Sequence, residues 1–317
     1  MRVLVTGGAG FIGANLCREL AAHPGVSRVV VLDNLSTSTL DNLDGVAAEF
    51  VEGSLLDRPL LDDVVSGVDS VVHLGARSSV PRSMAEPVAA HDANVTGTVY
   101  LLEACRRRGT HVVAASSSSV YGGNPILPKR EDLATAPLSP YAASKLAAEG
   151  YVTAYGAAYQ LPALAFRFFN VYGPLQALGH AYAAVVPSFM DAALRGEPLR
   201  IHGDGRQTRD FTFVGSVVRV LTEAVLRRVT SPTPVNLAFG TRVSVLDLAA
   251  RVGAALGVQV ELEHQPSRPG DARDTQADTA RLRELFPDVV PVPMEEGLAA
   301  TAGWVRARPA YRPLAVA

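Results

Sequence analysis

Short, continuously apolar runs alternate with helical patterns through the first half of the chain. RVLVT, VVVLD (ending at Asp33), EFVEG, SVVHLG, THVVAASS and LPALAFRFF read as six strands. Between them lie FIGANLCRELAAH, a helix around Leu60 to Val65, one over Val95 to Arg107 and one over Tyr141 to Ala158. Strands apolar on both faces and separated by helices predict a parallel sheet covered on both sides. The expected fold class is α/β: a doubly wound parallel sheet of Rossmann type, with ligands at the C-terminal ends of its strands.

After Tyr172 the rhythm changes. GPLQALGHAY is loop-like, VVPSFMDAALRG a short helix, and PLRIHGDGRQTRDFTFV a mixture of short strands and turns. VNLAFG predicts a strand returning to the main sheet. VSVLDLAARVGAALG reads as an amphipathic helix and VQVELEHQ as a strand, with a loose tail from Arg308. The expected organisation is a sheet domain over residues 1–169, rejoined by 210–239, and a smaller mixed α/β substrate-binding domain from 170–209 and 240–317.

At 317 residues the chain has room for two domains and a cleft between them. A net charge of -2 offers no basic footprint for nucleic acid, and Arg106 to Arg108 reads as a solvated helix end. No stretch reaches the roughly 20 apolar residues of a membrane span. MRVLVTGG enters a glycine turn too early for a secretory leader. Cys17 and Cys105 form no spaced motif and read as buried, reduced thiols, and the seven histidines are scattered without metal-ligand spacing. The expectation is a cytoplasmic protein without a metal.

Chemistry first enters at TGGAGFIG. Gly7, Gly10 and Gly13 follow a strand and open a helix: one permits the tight turn, one a close approach of backbone to pyrophosphate, one close helix–strand packing. The phosphates would accept bonds from the Phe11 and Ile12 amides at the helix N-terminus. Asp33, ending the second strand, stands where a carboxylate takes the adenosine ribose hydroxyls and repels a 2′-phosphate. The expected cofactor is therefore NAD.

Further along, Tyr141 and Lys145 lie one helical turn apart on one face. For tyrosine to act as a base at pH 7 its pKa must fall by about 3 units, roughly 4 kcal/mol of phenolate stabilisation. A neighbouring ammonium and a positively charged nicotinamide supply it together. Ser117, at the end of the fifth strand, is placed to bond both the phenol and a substrate hydroxyl.

TGGAGFIG, the DN pair at 33–34, SSSSVYG, YAASK and RFFNVYGP resemble the extended short-chain dehydrogenase/reductase family, and within it the nucleotide-sugar 4-epimerases, from Met1 to about Gly303. The resemblance implies bound NAD, with Asn34, Ser54, Leu55 and Asn94 joining Gly7, Gly10, Phe11, Ile12, Gly13, Asp33, Tyr141 and Lys145 in its site. It implies that Tyr141 removes the C4 hydroxyl proton as hydride passes to the nicotinamide, and that the 4-keto sugar then rotates and takes the hydride back on its other face. Ser117 assists, and Lys145 also holds the nicotinamide ribose. Relatives that dehydrate the sugar carry Thr-Asp-Glu before VYG, and those that decarboxylate uronic acids keep a Glu two places before that Tyr. This chain has Ser117, Ser118 and Ser119, which orient a sugar but do not perform extra acid–base steps.

On the substrate side the resemblance implies that Asn170, Arg209 and Arg268 bind the sugar-nucleotide phosphates, by charge-assisted contacts for the arginines, and that Asp271 binds the nucleotide's ribose. His202 lies where relatives stack an aromatic on uracil; a structural histidine fits there equally. SSVPRS, containing Ser78, and AYAAVVP, containing Val186, resemble epimerases that accept N-acetylated UDP-sugars. Thr275, at the family's gate position, leaves room for a C2 acetamido group. Four departures stand out: Leu175 replaces an arginine used on uronate carboxylates, Ser54 an adenine-contacting Asp, Gly75 an Ala and Phe168 a Tyr. The implied partner is a UDP-sugar (glucose or galactose, with tolerance of GlcNAc) and the implied assembly a homodimer through the helices of 95–107 and 141–158. Open alternatives are another nucleotide-sugar oxidoreductase or epimerase acting on a UDP-uronic acid or a dTDP-sugar, and a non-catalytic NAD-binding protein.

Overall fold

The structure, a computed structural model, describes residues 1–178, 184–266 and 273–308. The first half runs β1 (Arg2–Thr6), α1 (Phe11–Ala22), β2 (Arg28–Asp33), β3 (Glu49–Glu52), α2 (Arg58–Val65), β4 (Ser70–His73), α3 (Val80–Ala85), α4 (Pro87–His91), α5 (Gly97–Arg106), β5 (His111–Ser117), α6 (Pro140–Tyr159) and β6 (Ala163–Phe168). The second half runs β7 (Asn170–Tyr172), α7 (Val185–Arg195), β8 (Leu199–His202), β9 (Thr208–Arg209), β10 (Phe211–Phe213), α8 (Val214–Leu226), β11 (Val235–Leu237), β12 (Val243–Ser244), α9 (Val245–Leu256), β13 (Leu262–Gln265), α10 (Ala280–Leu285) and α11 (Met294–Arg306).

Seven of these strands form one parallel sheet in the order β11-β6-β5-β4-β1-β2-β3. The order reverses between β1 and β4, which opens a crevice at their C-terminal ends. Alternation within the apolar strands decides which face each residue serves. Val3 and Val5 pack with Leu16 and Leu20 of α1 and Val217 and Leu221 of α8. Leu4 packs on the other side with Leu61 of α2, Leu101 of α5 and Val152 of α6. Each fully buried leucine contributes about 1.5–3 kcal/mol over its exposed state.

Three features differ from the sequence reading. α8 was not anticipated: nine of its residues are buried, and its polar stripe is narrow, with Arg219 exposed and Glu223 paired to Arg227. The helix expected from Val95 begins earlier, at Pro87, and passes through a π-turn over Asp92–Thr96 before α5. Leu282 and Phe286, from the stretch assigned to the smaller unit, join the core of the large sheet, where Phe286 lies 5.8 Å from the Phe166 ring.

The smaller unit packs α7, α9 and α11 around Phe189, Met190, Leu248, Val252 and Leu298. Asp210, between β9 and β10, ties it to the sheet. Its fully buried carboxylate accepts bonds from the amides of Gly240 (3.1 Å), Thr241 (3.2 Å) and Ala277 (3.0 Å) and from the Thr241 hydroxyl (2.9 Å). Burial pushes this carboxyl up to about 6, against those four bonds. Among the described residues no helix is long and apolar enough to cross a membrane.

Candidate active site

The glycine turn links β1 to α1. Gly7 has φ +68°, and a Cβ there would lie 2.7 Å from the Gly75 amide nitrogen. A Cβ on Gly75 itself would meet Leu55 Cδ1 at 3.0 Å and the Thr6 hydroxyl at 3.2 Å, so little room is left for a side chain at this departure. A Cβ on Gly13 would lie 2.2 Å from the Gly7 carbonyl oxygen, so this glycine is fixed by packing. A Cβ on Gly10 meets only that same oxygen, at 3.1 Å, leaving its outer side open. Gly10 caps α1 without a side-chain bond, and the first turn carries no acid. The amides of Phe11 and Ile12 therefore open a cradle suited to an anion.

Asp33, nine-tenths buried at the end of β2, accepts bonds from the Ala9 amide (3.1 Å), the Leu35 amide (2.9 Å) and the Ser38 hydroxyl (3.2 Å). It stands across the turn from α1, as a ribose-binding carboxylate must. Asn34 beside it is exposed. Ser54 uses its hydroxyl to accept the Leu56 amide at 3.1 Å, and Leu55 packs against Gly75 and Gly97. These groups fit an adenine dinucleotide.

Ser139 accepts the Ala142 amide at 3.1 Å and Pro140 occupies the first turn, so α6 starts one residue before Tyr141. That start places Tyr141 against the end of β5, where its phenol is hydrogen-bonded to Ser117. Burial raises the Tyr141 phenol above its ordinary 10, and the Ser117 bond opposes the rise. Lys145, one turn on, is 7% exposed, and burial draws its ammonium down to about 8 while Glu149 pulls it back up.

Glu149 went unnoticed in the sequence, although it lies a further turn along the same face. Its carboxylate takes two bonds from Arg167 (2.7 and 2.9 Å) and one from Ser116 (2.6 Å), all buried. The Arg167 guanidinium lies 4.7 Å from the Tyr121 ring centre. The available signal was Arg167 itself, the one charge in LPALAFRFF. A second missed group is His73. Its Nε2 lies 2.9 Å from the Thr98 hydroxyl, which donates to the Asn94 carbonyl at 2.6 Å and must therefore accept from the imidazole. Nδ1 then accepts from Thr6 at 2.7 Å. His73 is neutral, held down to about 3 by burial and by the charge of Lys145.

Asn94 lies within the π-turn. Its carbonyl oxygen accepts the Arg77 amide at 2.7 Å, and its amide donates to Arg77 O (3.2 Å) and Ser144 Oγ (2.9 Å). Only the second lone pair of Oδ1 remains for a cofactor. Phe168 is a core residue opposite Ser117 in the β5–β6 register.

On the substrate side Asn170 donates to the Asp210 carbonyl at 3.1 Å and Arg209 to the Thr208 and Arg273 carbonyls at 2.9 Å. Thr275 is half-buried with a hydroxyl that has no partner among the described residues, and its amide donates to Thr208. These three therefore gather around the β9–β10 junction. Ser78 is exposed and Ser118 half-buried. Val186 has its side chain 1% exposed in the core of the smaller unit and its amide in the first turn of α7. His202 holds the Pro266 carbonyl through Nδ1 at 3.1 Å, a structural bond. Leu175 adopts φ +70° in the loop after β7. Arg268 and Asp271 lie outside the described residues.

Comparison with known proteins agrees with this geometry. The model of the NAD dependent epimerase/dehydratase family matches residues 3–238. A UDP-glucose 4-epimerase from Mycolicibacterium smegmatis is 38% identical over 313 residues, 96% of this chain and 99% of that protein. A UDP-N-acetylglucosamine 4-epimerase from Methanobrevibacter ruminantium, solved with UDP-N-acetylmuramic acid, superposes with a TM-score of 0.90 at 33% identity, covering 96% of this chain and 97% of the other. A Thermus thermophilus UDP-glucose 4-epimerase in complex with NAD gives 0.88 at 34% identity, covering 97% and 99%. With its glycine cradle, its acid after β2 and its likeness to these proteins along nearly their whole length, the chain belongs to the NAD-dependent epimerase/dehydratase family and binds NAD.

Proposed function

We propose that this enzyme interconverts the C4 epimers of a UDP-hexose, UDP-glucose and UDP-galactose among them, and tolerates the N-acetylated pair. The observation that carries the reading is the end of β5. Next to Ser117, Ser118 and Ser119 occupy the two positions where dehydration or decarboxylation needs a carboxyl group.

NAD, when bound, supplies the two-electron acceptor and donor for C4. The chain's own groups manage the proton and the pose. Tyr141 takes the C4 hydroxyl proton and later returns it to the 4-keto oxygen. Ser117 assists with its one proton, given to the phenolate oxygen or to the C4 oxygen. Lys145 keeps a positive charge beside the phenolate and bonds the nicotinamide ribose. Arg209, Asn170, Arg268 and Asp271 hold the nucleotide so that the sugar alone turns over. Thr275 leaves space beside C2, and the absence of an arginine at Leu175 disfavours a uronate, whose carboxylate would be buried unpaired. A homodimer through α5 and α6 belongs to the same proposal; Tyr151 and Tyr159 of α6 stand exposed.

The test incubates the purified protein with UDP-glucose, UDP-GlcNAc and UDP-glucuronate separately and follows the ring-proton couplings by NMR. Conversion of the first two at C4 is expected. No 4-epimer from any UDP-hexose, with NAD replete, overturns the proposal.

A further inference from the structure

Ser117 is held by its neighbour in a way its catalytic role alone does not require. Its Oγ accepts the backbone amide of Ser119 at 3.2 Å and lies 2.9 Å from the Ser119 hydroxyl, which is oriented to donate. A serine hydroxyl has two lone pairs and one proton. With the amide on one lone pair and the Ser119 hydroxyl on the other, the single Ser117 proton is left for the Tyr141 oxygen or a substrate hydroxyl. Ser116 cannot take this part, because its hydroxyl is bound to Glu149.

We propose that Ser119 is a positioning residue that fills the acceptor capacity of Ser117 and so aims the Ser117 proton at the Tyr141 oxygen. The inference rests on the reading of Tyr141 as the base. In the phenolate state the chain of donors runs Ser119 to Ser117 to Tyr141. When Tyr141 has taken the C4 proton, the substrate O–H bond is broken and the phenol O–H formed. The two serine hydroxyls then turn about their C–O bonds, so that Tyr141 donates to Ser117 and Ser117 to Ser119. No proton leaves either serine. Donor chains of this kind strengthen their terminal bond by polarisation.

The charged and titratable groups around Tyr141 are common to all variants at position 119. On its own helix they are Lys145 and Glu149, with Arg167 paired to Glu149 from β6. His73 lies on β4, and Arg82, His91 and Asp92 are carried by the helical segments that contact α6. Glu103 and Arg106 of α5 are paired with each other.

The test compares Ser119→Thr with Ser119→Val, two side chains of equal shape that differ in the hydroxyl. In Ser119→Val the acid limb of the kcat/KM profile for UDP-glucose moves up by about 0.5–1 pH unit, a 3- to 10-fold loss on that limb, with recovery at alkaline pH. Ser119→Thr keeps the wild-type profile. A second readout needs no turnover: the phenolate absorbance of NAD-loaded protein, taken as the difference from Tyr141→Phe, shows the same shift. A Val variant with an unmoved limb, or one uniformly slow at every pH, overturns the proposal, as does a Thr variant that behaves like Val. If wild type epimerises nothing and the phenolate still shifts in Ser119→Val, the proposed reaction fails while the role of Ser119 stands.

Discussion

Lys145→Met stabilises the folded protein at neutral pH while removing its activity. The ammonium is 7% exposed, and burial lowers its pKa from 10.5 to about 8. At 1.36 kcal/mol per unit, that drop is a penalty of about 3 kcal/mol carried by the folded state. The sign follows from proton binding. The folded chain holds this proton less tightly than the unfolded chain, so between pH 8 and 10.5 the unfolded state binds more protons and stability rises with pH. Below pH 8 the penalty is present in full. Methionine fills similar volume without the charge, and Glu149 keeps its bonds to Arg167 and Ser116. An unfolding entropy of about 2.1 cal/mol/K per residue turns about 3 kcal/mol into about 4–5 °C. Far-UV circular dichroism of nucleotide-free wild type and variant at pH 7 and pH 10 measures it. The variant melts higher at pH 7, and the gap narrows by pH 10. A variant that melts lower at pH 7, or a gap that does not narrow, refutes the reasoning.

Gly13→Ala forces a Cβ to within 2.2 Å of the Gly7 carbonyl; NAD affinity, measured by calorimetry, falls about 10- to 100-fold. Glu149→Gln leaves Arg167 buried without its counter-ion and costs about 3–5 kcal/mol in urea unfolding, whereas a Glu149→Leu, Arg167→Met pair loses less. A wild-type midpoint for the Gln variant is the contrary result. Thr275→Tyr fills the space beside the sugar; it stops conversion of UDP-GlcNAc and spares UDP-glucose when both are followed by proton NMR. Equal loss on the two substrates would remove Thr275 from the specificity argument.

The sheet strands were legible because each is a short β-branched run bounded by turns, and the glycine turn because its chemistry is local. The Tyr141–Lys145 pair needed only helical spacing. α8 escaped because most of its surface is buried and its polar stripe is narrow, little more than Arg219 and Glu223 within VGSVVRVLTEAVL. The π-turn has no sequence signature; it arises where the Pro87 helix meets α5 and turns Asn94 toward Arg77 and Ser144. His73 was weighed only as a metal ligand, yet its partners Thr6 and Thr98 are distant in sequence. The motif around Val186 is local, whereas the direction of its side chain, into the core, is set by the packing of α7 on α9.

The Asp210 carboxylate has a consequence for motion. Two segments, Gly240–Thr241 and Ala277, donate their amides to this one carboxylate, and the Asp210 carbonyl itself receives Asn170. Freeing any of these amides loosens the group on which the others depend. The rim of the substrate cleft therefore opens cooperatively, and deuterium exchange gives these three amides one common opening free energy rather than three separate ones.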